Sequence, residues 1–299
     1  MADASSVNRA TVEPKKINPQ LENLKSMWRK MKQNKLAMAG LYLIIFFMIT
    51  SIVGPFLTSM DPTSTEVQNR LQTPSADHWF GTDHQGRDIF TRIIHGMWIT
   101  LGIGFSSVIM GMIVGVFIGV IAGYYGKRID AVLMRIMDVF LAFPGILLAL
   151  GIVAILGGSI FNVVIAIAIF SVPVFARIVR GSTLAVKKLE YIDAVRALGA
   201  SDSRIIIRHI LPNILSPIIV QATLFIATAV LTASGLSFLG LGAQPPTPEW
   251  GAMLAAGRNY MWDYPHIALF PGLAIVSVVL AFNLLGDGLR DALDPKIKS

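Results

Sequence analysis

Six long runs of apolar residues constrain the fold of this chain more than any other feature. The runs lie at residues 36–58, 98–124, 134–156, 160–179, 214–241 and 267–286. A helix needs about 20 apolar residues to cross the roughly 30 Å hydrocarbon core of a bilayer. Because unsatisfied backbone groups are costly in lipid, runs of this kind are expected to be helical. The sequence therefore predicts an all-α integral membrane protein with six transmembrane helices.

The composition supports the membrane class. Only 14% of the 299 residues are charged, whereas 54% are hydrophobic. Soluble domains carry about 25% charged residues. The chain has no cysteine, so neither a disulfide framework nor a thiolate metal site is available.

The distribution of basic residues predicts the orientation in the membrane. Of the 25 Lys and Arg residues, 21 lie on the side that holds both termini, and the opposite side has Arg70, Arg87, Arg92 and Arg258. Basic residues concentrate in cytoplasmic loops, so both termini are expected to be cytoplasmic. The net charge of +7 then reflects topology, and nucleic-acid binding is not expected.

The apolar runs and the distribution of basic residues together divide the chain into segments. The first 35 residues are too long and too charged for a signal peptide, and they predict a cytoplasmic tail. This tail is expected to be partly disordered to about residue 19, with a helix near 21–31 that either lies on lipid headgroups or is solvated. The predicted segments are a tail at 1–35, a first transmembrane helix at 36–58, an extracytoplasmic segment at 59–97, a five-helix core at 98–289 and a cytoplasmic tail at 290–299.

Two spans contain residues that shape helix packing. The second span has a glycine at every fourth position, namely Gly111, Gly115, Gly119 and Gly123. Small residues at this spacing let helix backbones approach closely in lipid, so we interpret them as a packing face rather than a pore lining. Pro144 and Pro173 are expected to kink the third and fourth spans.

A charged stretch at residues 187–213, here called the surface element, separates two spans. Its apolar residues recur every third position and predict a short helix with one apolar face: Leu189, Ile192, Val195 and Leu198. Gly199 is placed to end that helix, Ser201 or Asp202 to cap a second one, and Pro212 to close it. The element is either a plain connection or, as its length favours, a docking site.

The surface element resembles the EAA loop of ABC importer permeases. The letters DAVRALG at 193–199, then nine residues and HILP at 209–212, keep the spacing of that loop. Asp193, Val195 and His209 replace its usual glutamate, alanine and isoleucine. In the family this loop, here 181–212, is a cytoplasmic coupling helix that fits a groove on the ATPase. The resemblance implies ATPase coupling for Glu190, Asp193, Ala194, Gly199, Ala200, Leu211 and Pro212.

Two outer motifs extend this resemblance to permeases of dipeptide and oligopeptide importers. They are HWFGTD at 78–83 with GRD at 86–88, and LGLGAQPPTPEWG at 239–251. The resemblance implies the type I ABC importer permease fold. The family positions are Gly81, Thr82, Asp83, Gly86, Arg87, Asp88, Pro245, Pro246, Trp250 and Gly251.

The first outer motif has two interpretations. His78, Asp83, His84 and Asp88 could be metal ligands, or they could form a capped turn. We favour the turn, fixed by Arg87 beside Asp88, because Asp and Gly are common turn residues. Aromatic residues near the predicted outer interface suggest a membrane belt: Trp79, Trp98, Trp250, Tyr260, Trp262 and Tyr264.

The spans lack the features of a self-powered transporter. No charged residue lies between Asp138 and Arg177, although ion-coupled carriers place charges at mid-membrane. Arg135 and Asp138 are interpreted as a surface ion pair, and Gly126-Lys127 lacks the upstream glycine of a P-loop. The energy for transport is therefore expected to come from a partner.

The resemblance implies a permease subunit of a bacterial ABC importer for dipeptides, oligopeptides or a related small solute such as nickel, in the cytoplasmic membrane. It also implies four partner chains: a second homologous permease as a heterodimer, two ATPase subunits that bind ATP and Mg, and an extracytoplasmic solute-binding protein. No catalytic residue, metal or cofactor is expected in this chain. Two alternatives are a self-sufficient channel or carrier and an integral-membrane enzyme.

Overall fold

The computed structural model describes residues 27–293, so the predicted disordered start of the tail lies outside the described residues. Residues 27–33 are helical, and residues 21–26 of the helix expected at 21–31 lie outside the described residues. Nine further helices follow: α1 Lys35–Leu57, α2 Ile89–Tyr125, α3 Lys127–Leu141, α4 Gly145–Leu156, α5 Ile160–Lys187, α6 Glu190–Ala197, α7 Asp202–Phe238, α8 Trp250–Gly257 and α9 His266–Leu293. Within residues 27–293 there is no β-strand, only an isolated bridge between Thr82 and Asp88.

Five of these helices are long and apolar enough to cross a membrane, namely α1, α2, α5, α7 and α9. Helices α3 and α4 provide the sixth crossing if they act as one broken span, and they meet at an angle of 85°. The kink expected at Pro144 is thus a full break, because proline lacks the N–H that would continue the helix. The predicted all-α class is confirmed, with five spans and a sixth where α3 and α4 count as one broken span.

Short polar side chains begin three of the spans. Asn34 accepts from the backbone N–H groups of the first turn of α1, Asp88 does so for α2 and Ser159 for α5. Such side chains satisfy N–H groups that have no partner within the helix. Pro173 lies inside α5, which continues through it without a break.

The glycines of α2 lie against α5. A Cβ atom added to Gly111 would lie 1.6 Å from Ser171 Oγ, and one added to Gly115 would lie 2.5 Å from Phe175 Cβ. Gly119 and Gly123 face Val179 and Thr183 in the same way. Since the residue numbers increase together on both helices, α2 and α5 run parallel, and their C-terminal ends reach the same side of the protein.

Helices α1 and α9 form a second close pair, which is antiparallel. A Cβ atom on Gly40 would lie 2.8 Å from the carbonyl oxygen of Ala281, and one on Gly288 would lie 2.1 Å from Ala37 Cβ. Helix α9 also packs on α7, where Gly286 faces Leu224. The N-terminus of α1 and the C-terminus of α9 therefore lie at one end of the bundle.

The ion pairs at the end of α3 differ from the prediction. Asp138 pairs with Arg177 of α5 at 2.6 Å, not with Arg135. Arg180 of α5 pairs with Asp130, with Nη2 and Oδ2 2.6 Å apart. The prediction failed because the partners are far apart in sequence and meet only when α3 lies across α5.

Candidate functional site

The surface element is a short helix, a glycine turn and the start of a long helix. Helix α6 ends at Ala197, and Gly199 has φ of +83°. The N–H of Gly199 donates to the carbonyl of Arg196, and that of Ala200 to the carbonyl of Val195. Glycine reaches this left-handed conformation without the clash that a Cβ atom introduces. The turn leads the chain into α7.

Buried isoleucines attach the surface element to the bundle. Ile192 of α6 and Ile205 and Ile210 of α7 are fully buried, in one cluster with Val120 of α2 and Val179 of α5. These isoleucines, here called the isoleucine base, join the element to the C-terminal ends of the parallel pair α2 and α5. A displacement of the element would therefore be transmitted directly to both of these helices.

The tip of the surface element is apolar and exposed. Leu198 is 87% exposed and Leu189 is also exposed, whereas Ile192, on the same predicted apolar face, is buried. Three-residue spacing suggested one face, but α6 is only eight residues long and Leu198 lies beyond its end. An exposed leucine at a loop tip suits contact with a partner, and sequence reasoning did not single it out.

The residues predicted to couple to the ATPase differ in how exposed they are. Glu190, Asp193, Ala194 and Gly199 are exposed. The others, Ala200, Leu211 and Pro212, are half-buried at the base. The first group thus lies on the solvent-exposed surface of the element, and the second group lies between that surface and the bundle.

Pro212 does not close the second helix, contrary to the prediction. Residues Ile206–Ile210 form a π-helical turn, and α7 then continues through Pro212 to Phe238. The N–H of Leu211 donates to the carbonyl of Ile206, five residues earlier. The wider turn makes room for the proline ring, which would clash with the carbonyl four residues before it in an α-helix.

Polar contacts fix the start of α7. Ser201 occupies the N-cap position, but within the described residues its side chain makes no capping bond. Asp202 instead accepts a 2.6 Å hydrogen bond from the hydroxyl of Tyr124 at the end of α2. The Asn213 side chain donates to the carbonyl oxygen of His209 at 2.6 Å and to the Tyr191 hydroxyl at 3.1 Å. These bonds tie α6, α7 and α2 together.

The first outer motif, at the other end of the bundle, forms a tight turn. Gly81 and Gly86 have φ of +75° and +80°. Asp83 accepts from the backbone N–H of Gln85 and pairs with Arg87 at 2.6 Å, so Arg87 helps to fix the turn through Asp83. The described residues include no group of three or more His, Cys, Asp or Glu side chains arranged to hold a metal ion.

Asp88 serves a different purpose in this motif. One of its oxygens lies 3.0 Å from Nδ1 of His78, and the other caps α2 by accepting from the N–H of Thr91 at 2.7 Å. The motif therefore sets where α2 begins. These contacts match the capped-turn interpretation.

The second outer motif is buried against the first residues of α2. Trp250 is fully buried, and its indole N–H donates to the carbonyl of Ile93 at 3.0 Å, so its assignment to an exposed aromatic belt is wrong. Trp79, Trp98 and Trp262 are exposed. An aromatic residue near a span end has the same sequence signal whether it faces lipid or protein.

Buried charges that the sequence did not reveal lie beside these motifs. Glu249 is fully buried and caps α8, accepting from the N–H groups of Gly251 and Ala252 at 2.9 and 2.8 Å. Burial raises the pKa of Glu249, while these two hydrogen bonds act in the opposite direction. Arg92, 3% exposed, donates to the carbonyls of Pro62 and Pro246 and so joins the two outer segments.

Two family profiles match the chain. Residues 115–299 match "Binding-protein-dependent transport system inner membrane component", and residues 23–74 match "N-terminal TM domain of oligopeptide transport permease C". The first match covers more than half of the chain and contains the surface element and the second outer motif.

Curated relatives are similar over nearly the whole length. A dipeptide transport system permease protein from Alkalihalophilus pseudofirmus is 54% identical over 278 residues, which are 92% of this chain and 91% of the relative. A glutathione transport system permease protein from Pectobacterium atrosepticum is 51% identical over 277 residues, 92% of each chain.

Solved structures share the fold at lower identity. The MetNI methionine ABC transporter in an inward-facing conformation matches with a TM-score of 0.55 and 21% identity, over 69% of this chain and 98% of that one. An amino acid ABC transporter matches with a TM-score of 0.51 and 18% identity, over 66% and 92%. At these identities the similarity supports the fold alone.

Proposed function

The chain belongs to the family of binding-protein-dependent transport system inner membrane components, the permease subunits of ABC importers, and we propose that it imports short peptides. The relatives named for dipeptides and for glutathione support a peptide solute, since these are all short peptides. As a permease it is not an enzyme, and ATP hydrolysis belongs to a separate subunit.

The surface element is, in this proposal, the coupling site for the ATPase. The observation that carries it is the exposed Leu198 next to Gly199, held on a base of buried isoleucines. An apolar tip provides contact area, and a rigid base transmits movement to α2 and α5. Asp193 and Arg196, 3.1 Å apart, would lie at the polar rim of that contact.

The proposed mechanism is alternating access. ATP binding closes a pair of ATPase subunits, the surface element moves with them, and the spans tilt to open outward. Hydrolysis then resets the pathway inward. Such a switch requires different contact free energies in the two states, which the ATPase would provide at the surface element.

The proposed assembly contains a second homologous permease, two ATPase subunits and an extracytoplasmic solute-binding protein, with ATP and Mg held by the ATPases. The proposed orientation places both termini and the surface element in the cytoplasm. The asymmetry of basic residues, 21 on that side of the 25 in the chain, supports it.

Affinity purification from native membranes in mild detergent tests this assembly. We expect stoichiometric recovery of a second six-span chain and of P-loop ATPases, identified by mass. A chain that is recovered alone, and that moves peptide in liposomes without ATP, would contradict the proposal and favour a channel.

A further inference from the structure

A cavity of about 110 Å³ lies at the end of the bundle opposite the surface element. The turn of the first outer motif, the loop of the second outer motif and helix α8 enclose it. Its polar lining includes Asp83, His84, Arg87, Arg92 and Thr247. The volume is well above the roughly 15 Å³ needed for one water molecule, so the cavity has room for a small polar group.

The charges around this cavity do not balance. Of the residues that line it, Arg87 and Arg92 are positive and only Asp83 is negative. Arg70 does not line the cavity, but its Nε donates to the carbonyl of His84, which does, at 2.6 Å. Three of the four basic residues on the proposed outer side therefore line the cavity or contact a residue that lines it.

The carboxylate of Asp83 already accepts hydrogen bonds from residues of its own turn. It accepts from the N–H groups of Gln85 and Arg87 and from the side chain of Arg87 at 2.6 Å. Its nearest oxygen lies 3.8 Å from Nε of Arg92, beyond hydrogen-bond range. The charge of Arg92 thus has weaker compensation than that of Arg87.

Two nitrogen atoms of residues that line the cavity are buried without a hydrogen-bond partner among the described residues. One is the donor Nε of Arg92, a residue that is 3% exposed, and the other is Nδ1 of His84, which donates or accepts according to the tautomer. A buried unpaired donor is costly, and the weak compensation of the Arg92 charge adds to that cost. A bound anion at this position would supply both the acceptor and the charge.

From this cluster we propose that the cavity binds a carboxylate group. The planar guanidinium of Arg92 suits a carboxylate, whose oxygens accept hydrogen bonds in the same plane. Two sources share this chemistry: a small free acid and the C-terminal carboxylate of a short peptide. The proposal concerns binding at the outer end and does not depend on the proposed solute.

Saturation-transfer NMR of acetate with the purified full chain tests the proposal, with neutral acetamide as the matched ligand. Arg92→Gln removes the charge, and Ala256→Phe fills the cavity from α8 without changing any charge. Arg258→Gln is the control, because Arg258 is an exposed basic residue that does not line the cavity. Thermal unfolding and gel filtration verify that each variant is folded.

We expect saturation transfer to acetate but not to acetamide, with at least about tenfold weaker binding in Arg92→Gln and Ala256→Phe and no change in Arg258→Gln. Equal acetate signals in all variants, or none with the wild type, would overturn the proposal. If Arg92→Gln does not fold, Ala256→Phe decides.

Glycylglycine and its C-terminal amide distinguish the two sources. Binding of glycylglycine that is lost in the amide and in Ala256→Phe assigns the site to the end of a peptide. Binding of acetate alone assigns it to a small free acid. Neither result depends on ATPase coupling, so a failure of the transport proposal would be seen separately, in the purification experiment.

Discussion

Leu198 is the residue whose exposure is hardest to explain without a partner. It is 87% exposed at the tip of the surface element, where its side chain contributes little to the fold. We expect Leu198→Asp to weaken ATPase association about tenfold, near 1.4 kcal/mol, because the contact would then bury an unpaired carboxylate in place of an apolar side chain. Pull-down of the ATPases against a concentration series measures this.

Leu198→Met is the matched control, since it keeps an apolar side chain of similar volume. Both variants should retain the thermal stability of the wild type within about 0.5 kcal/mol, as exposed substitutions usually do. Normal ATPase association in Leu198→Asp would remove the tip from the coupling site.

Gly199 tests the backbone of the same tip. Apart from Gly199 itself and its two chain neighbours, no described atom lies within 4 Å of where its Cβ would be, so space does not require a glycine there, but φ of +83° does. Gly199→Val should cost about 1–2 kcal/mol in the turn and reduce ATPase association, since a β-branched residue resists this conformation.

Gly199→Asn should behave more like the wild type, because asparagine tolerates left-handed geometry. ATPase-stimulated transport in proteoliposomes, measured for both variants, separates conformation from bulk. Equal activity of Gly199→Val and wild type would contradict a coupling role for this turn.

At the residue scale, sequence reasoning worked where chemistry is local. Gly199 has the positive φ expected from its place after a short helix. Trp250, Arg92 and Glu249 were misjudged or missed because their burial depends on residues far away in the chain, such as Ile93 and Pro62. Leu198 was assigned to an apolar helix face, but apolar spacing alone cannot tell a core residue from one that is left exposed for a partner.

Helix α2 depends on its glycine face for its position beside α5. A Cβ atom on Gly115 would lie 2.7 Å from the carbonyl of Val172 as well as against Phe175. Gly115→Leu should therefore separate the helices and lower stability by about 1–3 kcal/mol or more. Thermal unfolding in detergent measures the loss.

Gly102 provides the control within the same helix. No described atom lies within 4 Å of its Cβ position, so Gly102→Leu should be tolerated. Comparable destabilisation by both substitutions would show that the effect is one of helix propensity or lipid contact and not of close packing.

The cap of α8 makes a prediction about pH. Burial raises the pKa of Glu249 above its usual value of 4.5, so the folded state disfavours the charged form relative to the unfolded state. This contribution to stability is fully present below the unfolded pKa and is lost as the pH rises through the folded pKa.

Glu249→Gln removes this dependence. Wild type should lose stability relative to Glu249→Gln as the pH rises above about 4.5, on top of a constant offset from the altered cap. Unfolding temperatures of both proteins across an acidic-to-neutral series test the sign. A difference that is flat with pH, or that changes in the opposite direction, contradicts it.

At the element scale, the length of apolar runs predicted the spans, but not where helices end. Helix α5 extends to Lys187, eight residues beyond its predicted apolar run, and α7 begins at Asp202 inside the charged surface element. Where a helix continues into polar residues, the length of its apolar run does not show where the helix ends. The π-helical turn before Pro212 was not foreseen because it depends on how the chain accommodates one proline ring.

The whole molecule has two differently built ends. One end is the surface element, with its apolar tip and basic surroundings, and the other is formed by the two outer motifs around buried charges. The parallel helices α2 and α5 connect them: α2 begins at the capped turn of Asp88, and both helices end at the isoleucine base. Under the coupling proposal, the close glycine contact would make this pair of helices move together with the tip.

The orientation of these ends is the last prediction, and the absence of native cysteine makes it directly testable. Ser203→Cys lies on the surface element and Thr65→Cys in the first outer segment, both at exposed positions. A membrane-impermeant thiol reagent should label Thr65→Cys in intact cells and Ser203→Cys only after permeabilisation, because basic loops remain in the cytoplasm. The reverse pattern would place the surface element outside the cell, out of reach of ATP and of any ATPase, and would contradict the coupling proposal even if every contact described for its tip were correct.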